Sequence, residues 1–483
     1  MKRAILLLVV VVAVVSSGFA QETPKPLSLP ECVDIALKNN LRVRRSIYNV
    51  ETYEVNLFQA KMNFLPSLNV STAQNFNFGR SLNPVTNSFE AQRANSMNGQ
   101  LTSSWLLFNG LRITNTFRQS KLDVAAADED LQKAKNDVII NVVTLYINVI
   151  FNKELLANTQ YQLSSSLQQL ERITKQVNAG SLPKSNQLTQ EAQVATNEVN
   201  LINQENALNL SLLQLKQAMQ VPASEALDVI VPELALENLV LEQSPDQLYM
   251  QSLKTMPEVK SAMLKVQSAQ LALKAAKGSL YPRLSLNAAA VSNYSSLNTN
   301  VPVFTGTPQA NPTGTPIAFA YLEGVGSAPV YQFTRELDHY DPNGHLTQLN
   351  KNLSEQVGFQ LQIPIFNQWS TRATVQRAAI QSELARITEV EVQNTLRQTI
   401  ESAYNDAYAA SKTYAANLKQ VNAREEAYRM VLQRFEFGSA NFVEKQIAEN
   451  DLFQSRSDLT RAKYNFIFRK KILDFYQGKQ IEY

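Results

Sequence analysis

The sequence predicts a mixed α and transmembrane β fold with two structural repeats, each containing two β-strands and long coiled-coil α-helices. Three observations support this. The long helical stretches share their punctuation, because 72 residues separate Phe108 from Gly180 and also Phe366 from Gly438. Short stretches of alternating polarity precede each helical stretch, and apolar residues then recur every seven positions. Self-similarity on this scale indicates a duplicated architecture.

The first 20 residues have the pattern of a secretory signal peptide. Lys2 and Arg3 precede an apolar run over 4–15, and small residues follow up to Ala20. The run of about 12 apolar residues is too short for a membrane anchor, the alternative interpretation. We therefore expect residues 1–20 to be removed on export.

Charge and cysteine content exclude some classes of protein. The formal net charge of +3 does not suggest nucleic acid as a partner. Cys32 is the only cysteine, so an internal disulfide is impossible and a buried structural thiol is expected. No later stretch reaches the roughly 18 apolar residues of a membrane helix. The best candidate, 138–151, is interrupted by two asparagines.

The first repeat begins with a helix and continues into strands. Ser28 starts the helix, and a glutamate three positions later completes a capping box. The helix is predicted to persist to about residue 60 and to end before Pro66, because a residue preceding proline avoids the helical conformation. Alternation then predicts strands at about 67–78 and 100–108, with a loop-like segment over 79–98 between them.

The second repeat has strands at about 284–293 and 356–366, joined by a long loop over 291–355 rich in turn-forming residues. Strands of about ten residues can cross a membrane when tilted, and their apolar and polar faces suit a barrel with a wet lumen. The alternative, a soluble two-stranded hairpin, is marginal in water. The residues predicted to face lipid are Leu68, Val70, Leu101, Trp105, Leu284, Leu286, Phe359, Leu361 and Ile363.

The long helices carry a heptad pattern. Residues 111–178 contain neither proline nor glycine, which allows roughly 100 Å of helix. Apolar residues recur every seven positions from Val142 to Val177, and the positions 258 residues later, Ile400 to Phe435, are also apolar or aromatic. A strict heptad repeat predicts left-handed supercoiling. The alternative, an ordinary globular helix, averages only three to four turns.

Gly180 and Gly438 end the two long helices, and the chain turns back after each. Prolines and leucines between the repeats predict a linker. The predicted organisation is a signal peptide over 1–20, a first repeat over 21–221, a linker over 222–245 and a second repeat over 246–483.

Catalytic chemistry is not indicated. The sequence has no phosphate-binding glycine loop and no nucleophile elbow. Its two histidines, His339 and His345, both fall in the long loop, where solvent-exposed residues are more common than metal ligands. We predict that the protein is not an enzyme and has no catalytic, cofactor or metal site.

The duplicated order of helix, strand, loop, strand, long helix, glycine turn and return helix resembles that of the TolC-like outer membrane efflux proteins. The resemblance covers essentially the whole mature chain, and the order and doubling of the motifs are more specific than any single motif. In the first copy it is carried by residues 29–37 with Pro66, 107–110 and 177–180. In the second copy it is carried by 281–282, 363–367, 437–438 and 462–465.

The resemblance implies a homotrimer in the outer membrane, in which each protomer gives four strands to a twelve-stranded barrel. The helices would continue the barrel as a periplasmic tunnel and dock onto a periplasmic adaptor (membrane fusion) protein. An inner-membrane pump of RND or ABC type would feed the adaptor. Lipid does not tolerate open sheet edges, so four strands from one chain would need partners to close a barrel. Eight strands give a filled interior, whereas twelve leave room for water.

The resemblance also implies site residues. The periplasmic tip, which would contact the adaptor, is formed by Gly180, Ser181, Leu182, Gly438, Ser439 and Asn441. The family's closed entrance has an aromatic residue before the second glycine turn, an arginine after it and two carboxylates. These positions hold Phe435, Ala440, Glu444 and Ile447. Because the arginine and one carboxylate are missing, we predict an entrance constricted by Phe435, Glu444 and Ile447 mainly through packing. The alternative for Glu444 is a solvated residue.

The leading hypothesis is therefore an exit duct of a multi-component efflux or type I secretion system. The alternative is a periplasmic adaptor or coiled-coil structural protein of such a system, although doubled hairpins and four membrane-length strands argue against it. A general uptake porin is disfavoured because porins lack long coiled-coil helices.

Overall fold

The computed structural model describes residues 26–82, 88–231, 243–310, 316, 318–324, 326–331 and 333–479. The predicted signal peptide, 1–20, lies outside these residues, as do residues 232–242 of the predicted linker. The chain forms two compact units. The sheet unit comprises 59–117 and 273–376, and the helical unit comprises the described residues before, between and after these segments.

Helices account for most of the described chain. Their bounds are α1 Leu29–Asn39, α2 Leu41–Met62, α3 Arg112–Asn178, α4 Lys184–Met219, α5 Pro245–Thr255, α6 Pro257–Gly278, α7 His345–Lys351, α8 Ser370–Glu436 and α9 Phe442–Tyr476. The strands are β1 Ser67–Leu82, β2 Phe89–Phe108, β3 Arg283–Ser295, β4 Asn300–Ala310, β5 Ala318–Leu322, β6 Gly326–Val330, β7 Phe333–Pro342 and β8 Ser354–Gln362. The main sheet is antiparallel in the order β1-β2-β3-β8, while β4 pairs with β7 and β5 with β6.

The element bounds repeat the duplication seen in the sequence. Helices α1 and α5 both have 11 residues, and each residue of α5 lies 216 positions after its counterpart in α1. The same offset relates α2 to α6, each of 22 residues, and the first residues of β1 and β3. Helices α3 and α8 both have 67 residues but are offset by 258 positions. The second copy is therefore longer by 42 residues (258 minus 216) between the start of β3 and the start of α8.

The longer segment of the second copy includes 291–355, for which the sequence prediction was wrong. The segment was expected to be an irregular loop, but it contains the end of β3, the hairpin strands β4 to β7, helix α7 and the start of β8. The hairpin strands are held by local pairing between neighbours. Their composition resembles that of a loop. They nevertheless form strands, because strand formation depends on cross-strand partners more than on intrinsic preference.

The first predicted loop, 79–98, is also mostly strand. Strand β1 continues to Leu82 and β2 begins at Phe89. Pairing between β2 and β3 starts only at Ser96 and Ser295, so the earlier residues of β2 pair with β1 alone. Many residues of this part of the hairpin are Asn, Gln, Ser or Gly, so its composition resembles that of a loop, and strand formation here depends on pairing between β1 and β2.

Both repeats start with a capping box. Ser28 N–H donates to Glu31 Oε2 at 2.8 Å, and Ser244 N–H donates to Gln247 Oε1 at 3.1 Å. The helix predicted to run unbroken to about residue 60 is interrupted at Asn40, which is extended at φ −66° and ψ 122°. The Asn40 side chain accepts a hydrogen bond from the N–H of Arg42, so it stabilises the start of the next helix.

The predicted heptad positions lie in the interior of the helical unit. Val142 and Val149 in α3, and Ile400 and Ala407 in α8, are fully buried. None of the twelve heptad positions in the two long helices is exposed. Among the described residues, helix α3 includes a stretch that is long and apolar enough to cross a membrane, and 44% of that stretch is buried inside the protein.

Cys32 is fully buried and free, as predicted for a structural thiol. It packs in a core cluster with Val142, Tyr146 and Leu215. Burial raises the pKa of its thiol to about 12, with a smaller contribution from Glu31. The thiol is consequently neutral at physiological pH.

Candidate functional site: sheet faces and helical turns

One face of the main sheet is apolar. Val70 is opposite Leu101, and Leu286 is opposite both Trp105 and Phe359. Directly opposed residues in an antiparallel pair share a face, so the register brings the predicted lipid-facing residues of all four strands together. The exposed members of this face reach 77% exposure at Val70. Of the residues predicted to face lipid, Ile363 alone is not in a strand of this sheet. It is exposed and lies just beyond the end of β8.

The other face is polar, and its side chains are linked across strands. Ser104 Oγ donates to Asn287 Oδ1 at 2.8 Å, and Asn287 Nδ2 donates to Gln360 Oε1 at 3.2 Å. Among the described strands, β1 and β8 each have a single neighbour in this sheet. The sheet thus combines an apolar face, a polar face and two unpaired edges.

Each strand-to-helix connection uses two successive left-handed residues. In the first copy these are Gly110 and Leu111, at φ 65° and 61°, and in the second Gln368 and Trp369, at φ 56° and 66°. An asparagine precedes each pair, Asn109 in the first copy and Asn367 in the second. Its Oδ1 accepts a hydrogen bond from the backbone N–H four residues later, at 3.4 Å in both copies. Leu111, Gln368 and Trp369 adopt a conformation that L-residues disfavour. The 258-residue offset showed that the two connections are equivalent, but it did not predict this conformation.

The two helical hairpins turn by the same hydrogen-bonded motif. Gly180 and Gly438 have φ values of 75° and 72°. In both turns the glycine N–H donates to the carbonyl three residues earlier, at 2.9 and 3.0 Å, and the next N–H donates to the carbonyl five residues earlier, at 2.9 and 2.8 Å. This is the Schellman arrangement that ends a helix. A Cβ atom at either glycine would meet nothing within 4 Å.

The other predicted tip residues lie at these turns. Ser181, Ser439 and Asn441 are exposed, and Leu182 is half-buried. Asn441 also stabilises the start of α9, because its Oδ1 accepts a hydrogen bond from the N–H of Glu444 at 2.8 Å.

The structure adds a cation beside Glu444. Arg434 Nη2 is 3.4 Å from Glu444 Oε2, across the second hairpin turn. This partner was not predicted from the sequence, because the position at which the family has its arginine holds Ala440 here, and Arg434 lies before the turn. The two side chains become neighbours only because the turn brings the end of α8 beside the start of α9.

The other predicted entrance residues, Phe435 and Ile447, have different surroundings. The ring of Phe435 packs near that of Phe442, with centroids 6.4 Å apart. Ile447 is 57% exposed.

A buried ion pair lies two turns into α9. Lys445 Nζ is 2.8 Å from Glu449 Oε2, and the two side chains are only 5% and 11% exposed. Ser165 Oγ in α3 donates to the other carboxylate oxygen at 3.2 Å. Burial, and secondarily Glu449, raises the pKa of Tyr428 to about 12. Sequence reasoning missed this pair because a lysine and a glutamate four apart usually mark a solvated helix face.

The two histidines have separate surroundings. His339 Nδ1 is 2.9 Å from Asp338 Oδ2, and its Nε2 is 3.1 Å from Asp341 Oδ1. His345 stacks on Tyr294 with ring centroids 3.5 Å apart. Within the described parts of the chain, no group of His, Cys, Asp and Glu has the arrangement of a metal site.

Comparisons with known proteins identify the family. The model of the family described as "Outer membrane efflux protein" matches residues 32–220 and 248–469. The chain is 24% identical over 436 residues to the outer membrane efflux protein BepC of Brucella suis biovar 1 (strain 1330), covering 89% of this chain and 81% of that one. It is 22% identical over 470 residues to the outer membrane protein TolC of Escherichia coli (strain K12), covering 96% and 84%.

A solved structure shares the fold. The outer membrane protein VceC of Vibrio cholerae superposes with a TM-score of 0.69 at 13% identity, covering 94% of this chain and 97% of that one. The matches confirm the predicted resemblance and favour the channel over the adaptor alternative. The chain belongs to the outer membrane efflux protein family, and it is an exit duct located in the outer membrane with a large periplasmic helical part.

Proposed function

We propose that three copies of the chain close their sheets into a twelve-stranded barrel that conducts solutes out of the cell. The observation that carries the proposal is the main sheet, with its exposed apolar face, its polar face and its two unpaired edges. Such edges are not tolerated in lipid, so copies must pair β1 of one chain with β8 of the next. The apolar face then contacts lipid and the polar face lines the water.

Exposed apolar seams on the helical unit support the same assembly. Leu41, Tyr48 and Val55 in α2 are seven residues apart and exposed. Ile380 and Ile387 in α8 are also seven apart and exposed. Heptad-spaced apolar residues facing outward are suited to coiled-coil packing against a neighbouring copy.

The two repeats, 21–221 and 246–483, are proposed to be the equivalent halves of each protomer, joined by 222–245. Their hairpin turns would form the periplasmic end of the duct. We expect the exposed tip residues there to contact a periplasmic adaptor fed by an inner-membrane pump of RND or ABC type. A photo-crosslinker at Ser181 or Ser439 should capture the adaptor in cells. One at Gly324, which lies between β5 and β6 in the sheet unit, should not. Equal capture at all three positions would contradict the assignment of the tip.

Native mass spectrometry and planar-bilayer recording on the full-length protein test the assembly. We expect a mass of three protomers in detergent, and discrete water-filled conductance steps after insertion into a bilayer. A monomer, a dimer, or a trimer that inserts without conducting would overturn the proposed function.

The sheet faces predict opposite responses to charge. Leu361→Arg should destabilise the inserted protein by about 2–4 kcal/mol if the residue lies near mid-bilayer. Gln360→Arg is the matched control on the polar face and should be tolerated, because its guanidinium remains in water. The unfolding free energy in lipid vesicles measures both variants. Similar losses for the two would show that the faces are assigned wrongly.

The entrance residues predict different electrical effects. Ile447→Ser should raise the resting single-channel conductance more than Glu444→Gln, because a narrow apolar ring closes by excluding water. Glu444→Gln should chiefly reduce cation preference, and only modestly, because Arg434 offsets part of its charge. A channel opened by Glu444→Gln but unchanged by Ile447→Ser would point to an ionic lock instead of packing.

A further inference from the structure

A cavity of about 510 Å³ lies in the sheet unit, beside the ends of β2, β3 and β8. Two arginines, Arg112 and Arg283, contribute to its walls. The other lining residues are neutral: Ala60, Asn63, Leu106, Asn109, Ile113, Thr116, Gly278, Ser279, Tyr281, Gln362 and Pro364. The cavity is therefore a positively charged recess without a carboxylate in its lining.

Neither arginine side chain is occupied by a partner among the described residues. No ion pair, side-chain hydrogen bond or ring contact involves the guanidinium of Arg112 or Arg283. Other arginines of the sheet unit do have partners: Arg93 lies 5.2 Å from the centroid of the Phe78 ring, and Arg372 lies 4.9 Å from that of Trp369. Two like charges sharing one recess repel each other, and a bound anion would relieve that repulsion.

The surrounding segments reinforce the positive potential. Residues 59–67, 105–117, 273–288 and 359–376 contain six lysines or arginines and neither aspartate nor glutamate. The exposed carboxylates of Glu323, Asp338, Asp341 and Glu355 lie instead in or beside the later strands. A recess surrounded by charge of one sign raises the local concentration of counter-ions.

The register shows which face carries the recess. Arg283 is opposite Gln362 and alternates along β3 with Leu284, so it shares the polar face. Leu106, another lining residue, is opposite Ser285 and lies on that face too. In the proposed duct this face is turned toward water and away from lipid.

We propose that Arg112 and Arg283 form an anion-binding site for solutes that carry phosphate or carboxylate groups. Guanidinium groups suit this role because their planar forks donate two parallel hydrogen bonds to such groups. Ser279 and Tyr281 also line the recess, and each carries a hydroxyl group that can donate a hydrogen bond. The location of the site on the water side rests on the proposed duct, where three copies of the site would bind anionic solutes locally, separately from the cation preference proposed at Glu444.

Calorimetric titration of the full-length protein in detergent, with inorganic pyrophosphate at low salt, tests the site. We expect saturable binding that weakens at least about tenfold in the double variant Arg112→Gln/Arg283→Gln, because charge-assisted hydrogen bonds are lost. Arg372→Gln removes the same charge from a neighbouring segment outside the cavity and should change affinity by less than about twofold. Each single arginine variant is titrated as well, so a folding defect in the double variant does not decide the outcome. No saturable binding, or an equal loss in Arg372→Gln, would overturn the site.

Lipid composition distinguishes a solute from a lipid head group as the source of the anion. In nanodiscs, replacing phosphatidylcholine by phosphatidylglycerol should leave pyrophosphate affinity unchanged, because the recess faces away from lipid. Competition by phosphatidylglycerol would overturn the assignment to the water side. Binding in detergent does not require conduction, so a protein that binds pyrophosphate without conducting would contradict the duct alone. A conducting protein without binding would contradict the site alone.

Discussion

Gly110→Ala is expected to destabilise the sheet unit by about 2–5 kcal/mol, combining a left-handed backbone penalty with overpacking. Gly110 has a φ of 65°, and a Cβ atom there would lie 2.3 Å from the carbonyl oxygen of Gly278 and 2.9 Å from Cβ of Tyr281. The obstacle is backbone, so it cannot rotate away. Both tryptophans, Trp105 and Trp369, lie in this unit, so chemical unfolding followed by tryptophan fluorescence measures the loss.

Gly180→Ala is the matched control. Gly180 has a similar φ of 75°, but an added Cβ atom would meet nothing within 4 Å. Only the backbone penalty of about 1–2 kcal/mol remains. Helical circular dichroism follows unfolding of this variant. If the two substitutions had equal effects, close contact between Gly110 and Gly278 would not be what excludes a side chain.

Lys445→Met is expected to cost about 3–5 kcal/mol, because it leaves Glu449 buried without its cation. The two side chains are 5% and 11% exposed, and the ammonium lies 2.8 Å from the carboxylate. Ser165 donates one hydrogen bond to Glu449, which is not enough to replace a charge. Thermal and chemical unfolding of the full-length protein measure the loss.

Two further variants show whether burial is the cause. Lys445→Met/Glu449→Leu removes both charges and should recover most of the stability, because an apolar pair of similar volume needs no desolvation of charge. Lys133→Met breaks a pair of the same spacing with Asp137, whose side chains are 45% and 55% exposed. Its effect should stay within about 0.5 kcal/mol. A large loss in Lys133→Met, or no recovery in the double variant, would show that burial does not set the cost.

The faces and turns of each element are encoded locally. Alternation in β8 separates Phe359 and Leu361 from Gln360 without reference to any other segment. The heptad positions Val142 and Ile400 follow from periodicity along one helix. Gly180 and Gly438 stop their helices because glycine adopts positive φ at little cost. Features with such short-range causes can be read from one stretch of sequence, and duplication allows each to be read twice.

The lengths of the strands could not be predicted in the same way from one stretch of sequence. Residues such as Phe89 to Asn95 form strand because β1 lies beside them, and their own composition resembles that of a loop. Strands β4 to β7, in the longer segment of the second copy, form for the same reason. Strand formation there depends on a partner, and the partner is known only once the register is known.

The sequence alone therefore determined the duplicated architecture, the two faces of the strands, the helical seam and the membership of an efflux channel family. The tertiary structure alone decided which side chains meet. It placed Arg434 beside Glu444, buried Lys445 with Glu449 under Ser165, and brought Gly110 against Gly278. Periodicity within one segment fixes which way a side chain points, whereas the identity of its neighbour depends on the relative register of segments far apart in the chain.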